Sequence, residues 1–300
     1  MEKIQISESI NSITKFVKKE LANEKYKSIP KPYVIAITVG DDPIAKFCIE
    51  KKQKAFESVG IKFKIYDYKS AVDTDHLKNI ISKLSLDPLV TGIIVQGPLP
   101  EHIKTFKLID EIDPVKDIEG VTLVQNGAVF SGRNINNKLV SPDLLALLDI
   151  IWHNIDIAFP TIVTISTKSY SNKIGAYLSN TGNVIDCTHP EKIVDFINNS
   201  DIIVITSQDR ERYNSRYFYG KPNKIIIDNS LINRDGKLYK SIDIESIERE
   251  VTISNTFKYI TMEDGLADLV AIYDAFNVVH AYDSQFDFIW KYCKNRNLKD

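Results

Sequence analysis

Seven short runs of β-branched and aliphatic residues recur along the chain, at residues 33–39, 61–66, 92–95, 161–165, 183–187, 201–206 and 224–228. Most of the stretches between them carry apolar residues at helical spacing. Strands joined by helices of about a dozen residues pair in parallel, because a parallel pair needs a crossover connection. The alternation therefore imposes an α/β fold. It also comes in two series, 33–95 and 161–228, separated by the helix start Ser141-Pro142-Asp143, with Ser as N-cap and Pro at the first position. Two lobes are expected, with that helix linking them.

The remaining punctuation fills in the elements. Ile6, Ile10, Ile13, Phe16, Val17 and Leu21 describe an amphipathic first helix over residues 6–25, ended by Ile29-Pro30-Lys31-Pro32. Gly40-Asp41-Asp42-Pro43 opens a helix that runs through Ser58 and closes at Gly60. Further helices are predicted near residues 73–86, 103–109, 173–178 and 191–198. The Asn-rich run 131–138 reads as a loop. Leu266, Leu269, Val270, Tyr273, Phe276 and Val279 give a final long helix from Met262 to Tyr282.

Composition narrows the class. With 300 residues and 43% hydrophobic content the chain can bury a core of two ordinary domains. A net charge of -2 supplies no general pull toward nucleic acid or an anionic membrane. Cys48, Cys187 and Cys293 lie far apart with no CxxC pattern, so neither a disulfide framework nor a metal site is indicated and a reducing, cytoplasmic setting is expected. The N-terminus has no apolar run of signal-peptide length, and no segment approaches a membrane span.

Two places could carry chemistry. Residues 91–100, TGIIVQGPLP, are a buried strand that delivers one amide, Gln96, to a loop stiffened by Pro98 and Pro100. Ligands in α/β sheets collect at the carboxyl ends of strands, so Gln96 is placed at a crevice mouth; the plainer reading is a strand end with a Pro-rich turn. On the helix after Asp42, Cys48 and Lys52 share a face. Desolvation beside an amide would lower the Lys52 pKa and let it move a proton near neutrality; alternatively, Lys46, Lys51, Lys52 and Lys54 form one solvated basic face. A third stretch, 209–224, mixes Arg210, Arg212, Arg216, Lys221 and Lys224 with Tyr213, Tyr217, Phe218 and Tyr219, a mixture that suits single-stranded nucleic acid, a cofactor phosphate or an ordinary surface loop.

Several motifs together resemble one family. Gly40-Asp41-Asp42-Pro43, the helix with Lys52 and Lys54-Ala55, and Val59-Gly60-Ile61 are similar to the first signature of the methylenetetrahydrofolate dehydrogenase/methenyltetrahydrofolate cyclohydrolase family. Residues 95–103, VQGPLPEHI, resemble its VQLPLPxHI, and residues 114–120, PVKDIEG, its PxKDVDG. Ile225-Ile226-Ile227-Asp228 with Asn233-Arg234-Asp235-Gly236-Lys237-Leu238 resembles its VIDVGIN…DGKL.

The resemblance implies a fold of two lobes, an N-terminal α/β catalytic lobe and a Rossmann-like parallel-sheet lobe that binds a dinucleotide, with the final helix packing back on the first. It assigns residues 1–142, with the helix 263–300, to folate and residues 143–262 to NADP or NAD. It implies oxidation of 5,10-methylenetetrahydrofolate and hydrolysis of the methenyl product by a homodimer that uses no metal. Lys52 falls on the catalytic lysine, Gln96 on the glutamine that orients it, and Glu119 on the acid that holds the pterin. Cys48, Val95, Gly97, Pro98 and Leu99 complete the substrate contacts. Thr167, Lys168, Ser169 and Leu231 fall at cofactor positions. Departures are visible: Cys48 stands where the family has Tyr, Glu119 where it has Asp, and the phosphate loop lacks its glycines. A divergent member without nucleotide binding, limited to hydrolysis or to a folate-binding or scaffold role, and a nucleic-acid module using residues 209–224 are the alternatives.

Overall fold

In the computed structural model, the described residues are 1–131, 139–165, 178, 179, 182–187, 194–206, 213, 217, 218, 221–250 and 257–296. The chain forms two compact units. Glu8–Leu145 with Asp268–Asp300 make one, and Met1–Ser7 with Ala146–Ala267 the other.

The chain opens with β1 (Glu2–Lys3) and α1 (Ser7–Leu21). In the first unit, β2 (Tyr33–Val39), α2 (Pro43–Val59), β3 (Lys62–Tyr68), α3 (Thr74–Leu86) and β4 (Gly92–Val95) build a parallel sheet in the order β3-β2-β4. β2 and β4 are almost wholly apolar because helices cover them, whereas β3 turns Lys62, Lys64 and Asp67 to solvent; Ile35, Ile37 and Ile93 pack with Leu77, Ile81 and Leu108. The chain continues through α4 (Thr105–Ile109), α5 (Leu123–Ser131) and α6 (Pro142–Asn154).

The second unit holds β5 (Thr161–Ile165), β6 (Asn183–Cys187), α7 (Val194–Asn199), β7 (Ile202–Ile205), β8 (Ile225–Asp228), β9 (Ile232–Arg234), β10 (Lys237–Tyr239), α8 (Ile244–Glu250) and β11 (Lys258–Thr261). Six parallel strands run in the order β1-β11-β8-β7-β5-β6. Since β6 lies on one side of β5 and β7 on the other, the order reverses there, which is the Rossmann-like switch point the alternation predicts. Asp228 ties the end of β8 to the chain beyond β10: its Oδ2 accepts from Ser241 N at 2.8 Å and Ile242 N at 3.2 Å, and its Oδ1 accepts from the Ser230 hydroxyl. Complete burial pushes its pKa up to about 6 against those hydrogen bonds.

A π-helical turn, Met262–Leu266, leads into α9 (Ala267–Arg296). This helix returns to the first unit, as expected. Tyr282 lies 4.7 Å from Tyr26, ring centre to ring centre, and Gln285 Nε2 donates to Thr91 O at 3.0 Å and Val115 O at 3.2 Å. Its buried face carries Ala271, Asp274, Val278, Ala281 and Gln285, whereas Tyr273 and Phe276, part of the spacing that marked the helix, are only half-buried.

Other differences from the sequence reading are local. β1 pairs with β11, both outside the predicted set: two residues are too few to show periodicity, and β11 carries Lys258. The β9–β10 hairpin turns at Asp235-Gly236, both at positive φ. The predicted helix at 173–178 lies outside the described residues except for Leu178, as does the loop 131–138 beyond Ser131. The nucleic-acid reading of 209–224 is corrected: Tyr213, Tyr217 and Phe218 belong to the core of the second unit, so those rings offer no stacking face. Lys224 is fully buried, with its ammonium on Ile197 O at 2.5 Å and Asn198 O at 3.1 Å.

Candidate active site

The site grows from the capping of α2. Asp42 accepts hydrogen bonds from Ile44 N at 2.8 Å and Ala45 N at 3.1 Å, Pro43 sits in the first turn, and Gly60 closes the helix at φ 80°. This fixes the phase of the helix. Ala45, Ile49, Lys52, Phe56 and Val59 then form its buried stripe, so Lys52 points into the unit while Lys46 and Lys54 face solvent. The solvated-face reading is thereby excluded for Lys52.

Glu119 is aimed by its neighbours. Lys116 Nζ donates to Asp87 O at 2.5 Å at the end of α3, and Asp117 accepts from Val121 N at 3.1 Å and Thr122 N at 2.7 Å before α5. Ile118 is buried against Gly92, and Gly120 turns the chain at φ 61°, where an added Cβ would stand 2.6 Å from Leu139 O. Every flanking side chain is thus committed to structure. Glu119 alone is left to reach Lys52, with its Oε1 2.5 Å from Nζ.

The second partner comes from α9. Asp274 Oδ2 lies 2.9 Å from Lys52 Nζ as an ion pair off hydrogen-bonding alignment; the Asp274 side chain is 0% exposed, against 19% for Glu119. One turn on, Asn277 Nδ2 donates to Ile118 O at 2.7 Å and Val140 O at 2.8 Å, which fixes the backbone beside Glu119. Neither residue was singled out in the sequence. The available signal was polar residues on the stripe that also holds Ala271, Val278 and Ala281.

Electrostatics follow from this arrangement. Burial alone would lower the Lys52 pKa, but Asp274 and Glu119 outweigh it and hold the ammonium above the ordinary lysine range. The expectation of a lowered pKa is corrected: the lysine is paired with carboxylates rather than isolated. Burial drives Asp274 upward, with Glu119 and Asp143 adding to it and Lys52 opposing. Burial likewise pushes the Cys48 thiol up to about 11, so it stays protonated at neutral pH.

Gln96 stands at the tip of β4, its N bonded to Ile37 O at 3.0 Å. Its Nε2 donates to Gly97 O at 2.8 Å, while Oε1 is buried without a partner among the described residues. Lys52 is held by the two carboxylates, and among the described residues no hydrogen bond joins it to this amide. Val95, Gly97, Pro98 and Leu99 are partly exposed around it, and the Gly97–Pro98 peptide is cis.

In the second unit, Leu231 is buried just after β8. Thr167, Lys168 and Ser169 lie outside the described residues. Thr206 follows β7 at the switch point, with its N bonded to Ile165 O at 2.8 Å and its hydroxyl buried and unpartnered among the described residues. A buried, unanswered hydroxyl at the carboxyl edge of such a sheet fits a bound dinucleotide.

Comparison with known proteins bears on both units. Residues 4–119 match the family described as tetrahydrofolate dehydrogenase/cyclohydrolase, catalytic domain. The bifunctional protein FolD of Agathobacter rectalis is 30% identical over 235 residues, covering 77% of this chain and 82% of that protein. A Trypanosoma brucei methylenetetrahydrofolate dehydrogenase-cyclohydrolase, solved with NADP and an inhibitor, superposes with a TM-score of 0.80 at 19% identity, covering 94% of this chain and 97% of that one. A silkworm (Bombyx mori) methylenetetrahydrofolate dehydrogenase gives 0.78 at 24% identity, covering 96% and 100%. The two structures share the fold of this chain.

Proposed function

The chain belongs to the tetrahydrofolate dehydrogenase/cyclohydrolase family, and on that premise we propose that it oxidises 5,10-methylenetetrahydrofolate and hydrolyses the 5,10-methenyl product to 10-formyltetrahydrofolate. The observation that carries this reading is the buried Lys52 ammonium at 2.5 Å from the partly exposed Glu119 carboxylate. An acid within reach of solvent backed by a sequestered amine can hold a pterin and move a proton beside it.

Loss of hydride from the methylene carbon leaves a cation spread over two nitrogens, and a bound NADP or NAD supplies the acceptor. The contribution of the protein is alignment. Glu119 accepts from the N–H groups of the pterin ring, and Gln96 offers its unpartnered oxygen, with Cys48, Val95, Gly97, Pro98 and Leu99 as flanking contacts. In the hydrolysis, water adds to the cationic carbon and loses a proton, after which the carbon–N5 bond breaks. Like charge on the arriving substrate lowers the Lys52 pKa, so that the ammonium first releases its proton to solvent; the neutral amine then takes the water proton and passes it to the departing nitrogen.

In this reading the expected folate domain, residues 1–142 with 263–300, gives up Met1–Ser7 to the nucleotide domain of residues 143–262, since β1 pairs with β11. Thr206 and Leu231, with Thr167, Lys168 and Ser169 of the sequence after β5, would hold the nucleotide, which would supply the hydride acceptor. The assembly is a homodimer in the cytoplasm, a setting that suits the free Cys48 and Cys187. Among the described residues no helix is long and apolar enough to cross a membrane.

The test is to mix purified protein with methylenetetrahydrofolate and NADP or NAD. Appearance of reduced nicotinamide with either supports the dehydrogenase; none with both, at saturating substrate, removes it. Sedimentation equilibrium reads the dimer.

A further inference from the structure

We propose that Asp274 is a positioning residue for Lys52, the anchor that keeps the amine in place when Glu119 turns to the substrate. The inference rests on the reading of Lys52 and Glu119 just given and adds a residue to it. One ammonium is shared by two carboxylates of unequal access: Glu119 is 19% exposed and Asp274 is not exposed at all. Only the exposed one can meet a ligand. Once its oxygens are bonded to a pterin, the remaining counter-charge within ion-pair distance of Lys52 is Asp274.

Asp274 is built for a fixed role. Neither of its oxygens has a hydrogen-bond partner among the described residues, and the ion pair that answers its charge there is the one with Lys52. Asn277, three residues on, holds Ile118 O and Val140 O, so a single helix secures the amine through Asp274 and the neighbouring backbone of Glu119 through Asn277. The titratable groups that face the pair are Cys48 from α2, Asp143 from the start of α6 and Glu119. All but Cys48 are acids, and burial raises Asp274 further, so the pair sits where a change of charge on either member alters the other.

The experiment uses the full chain and its Asp274→Asn, Asp274→Glu and Glu119→Gln variants. Lys52 acylation by acetic anhydride is followed by peptide mass spectrometry across pH, and kcat and KM for methenyltetrahydrofolate hydrolysis are measured across the same range. In Asp274→Asn, Lys52 becomes reactive at a pH lower by about one unit or more, and kcat falls about tenfold or more while KM changes little. Asp274→Glu recovers part of the loss. In Glu119→Gln, KM rises and the Lys52 profile moves to lower pH by less than in Asp274→Asn, because the buried carboxylate remains. Unchanged acylation and unchanged kcat in Asp274→Asn would overturn the proposal. Should that variant fail to fold, an ordinary lysine profile in Glu119→Gln overturns it and retained protection supports it. If the unaltered chain shows no hydrolysis, the functional reading fails, and acylation still decides whether Asp274 holds the amine.

Discussion

The Lys52 ammonium stands 2.9 Å from Oδ2 of Asp274, joining the middle of α2 to the first turns of α9 in a pair that is nearly inaccessible to solvent. Charges so placed are costly to bury and stable only together.

Lys52→Met therefore does two things. It removes the proton-handling amine, and it strands a buried carboxylate at a cost of about 3–5 kcal/mol. Methenyltetrahydrofolate hydrolysis should vanish and the urea midpoint should fall. Adding Asp274→Leu should restore most of the stability and none of the activity. A double variant no more stable than Lys52→Met would refute the pairing as the cause.

Asn277→Leu leaves the carbonyls of Ile118 and Val140 without their donor. The expected cost is about 1–3 kcal/mol. Because Ile118 O adjoins Glu119, KM for the folate should rise more than kcat falls. An unchanged KM alongside lowered stability would confine Asn277 to the fold.

Gly120→Ala places a Cβ 2.6 Å from Leu139 O at a residue with φ 61°. Backbone must move, and strain of about 1–3 kcal/mol is expected. Calorimetry should show a lowered Tm, with weakened folate binding as the Glu119 loop shifts. A Tm equal to that of the unaltered chain would contradict the geometry.

Asp228 gives a pH signature of opposite sign to ordinary salt-bridged acids. Its folded pKa is raised from 3.8 to about 6, so between those values the folded chain keeps a proton that the unfolded chain has lost. Its contribution to stability is present at low pH and is lost as pH rises through about 6. Relative to Asp228→Asn, the unaltered chain should gain stability on going from neutral pH to mildly acidic pH in urea titrations. A difference that is independent of pH would dispose of the buried, raised carboxyl.

Adding NADP or NAD should raise Tm in proportion to the logarithm of ligand concentration once above Kd. Thr206→Val should reduce that rise without lowering the Tm of the protein alone, since the hydroxyl it removes has no partner among the described residues. An unaltered nucleotide response would take Thr206 out of the site.

Much of this was legible in the sequence. Alternation of apolar runs and helices marked β2 to β8 but not β1, β11 or the β9–β10 pair, and Asp42-Pro43 with Gly60 marked the ends of α2 to within a residue. Lys52 and Glu119 could be placed at one site from their motifs. What spacing did not reveal was their relation. Lys52 lies on the Ala45, Ile49, Phe56, Val59 stripe, a position that says the amine is buried, but its pKa depends on a carboxylate from the far end of the chain. Local pattern carries no information about such a partner. Tyr213, Tyr217 and Phe218 mislead for a related reason: an aromatic beside an arginine looks the same in sequence whether its ring packs inward or outward.

The most direct test of the central claim is to present methenyltetrahydrofolate to the purified chain and follow the loss of its absorbance. Decay well above the buffer rate, reduced to that rate by Lys52→Met, is the predicted result. Decay of the unaltered chain's reaction at the buffer rate, or full activity in Lys52→Met, would contradict it.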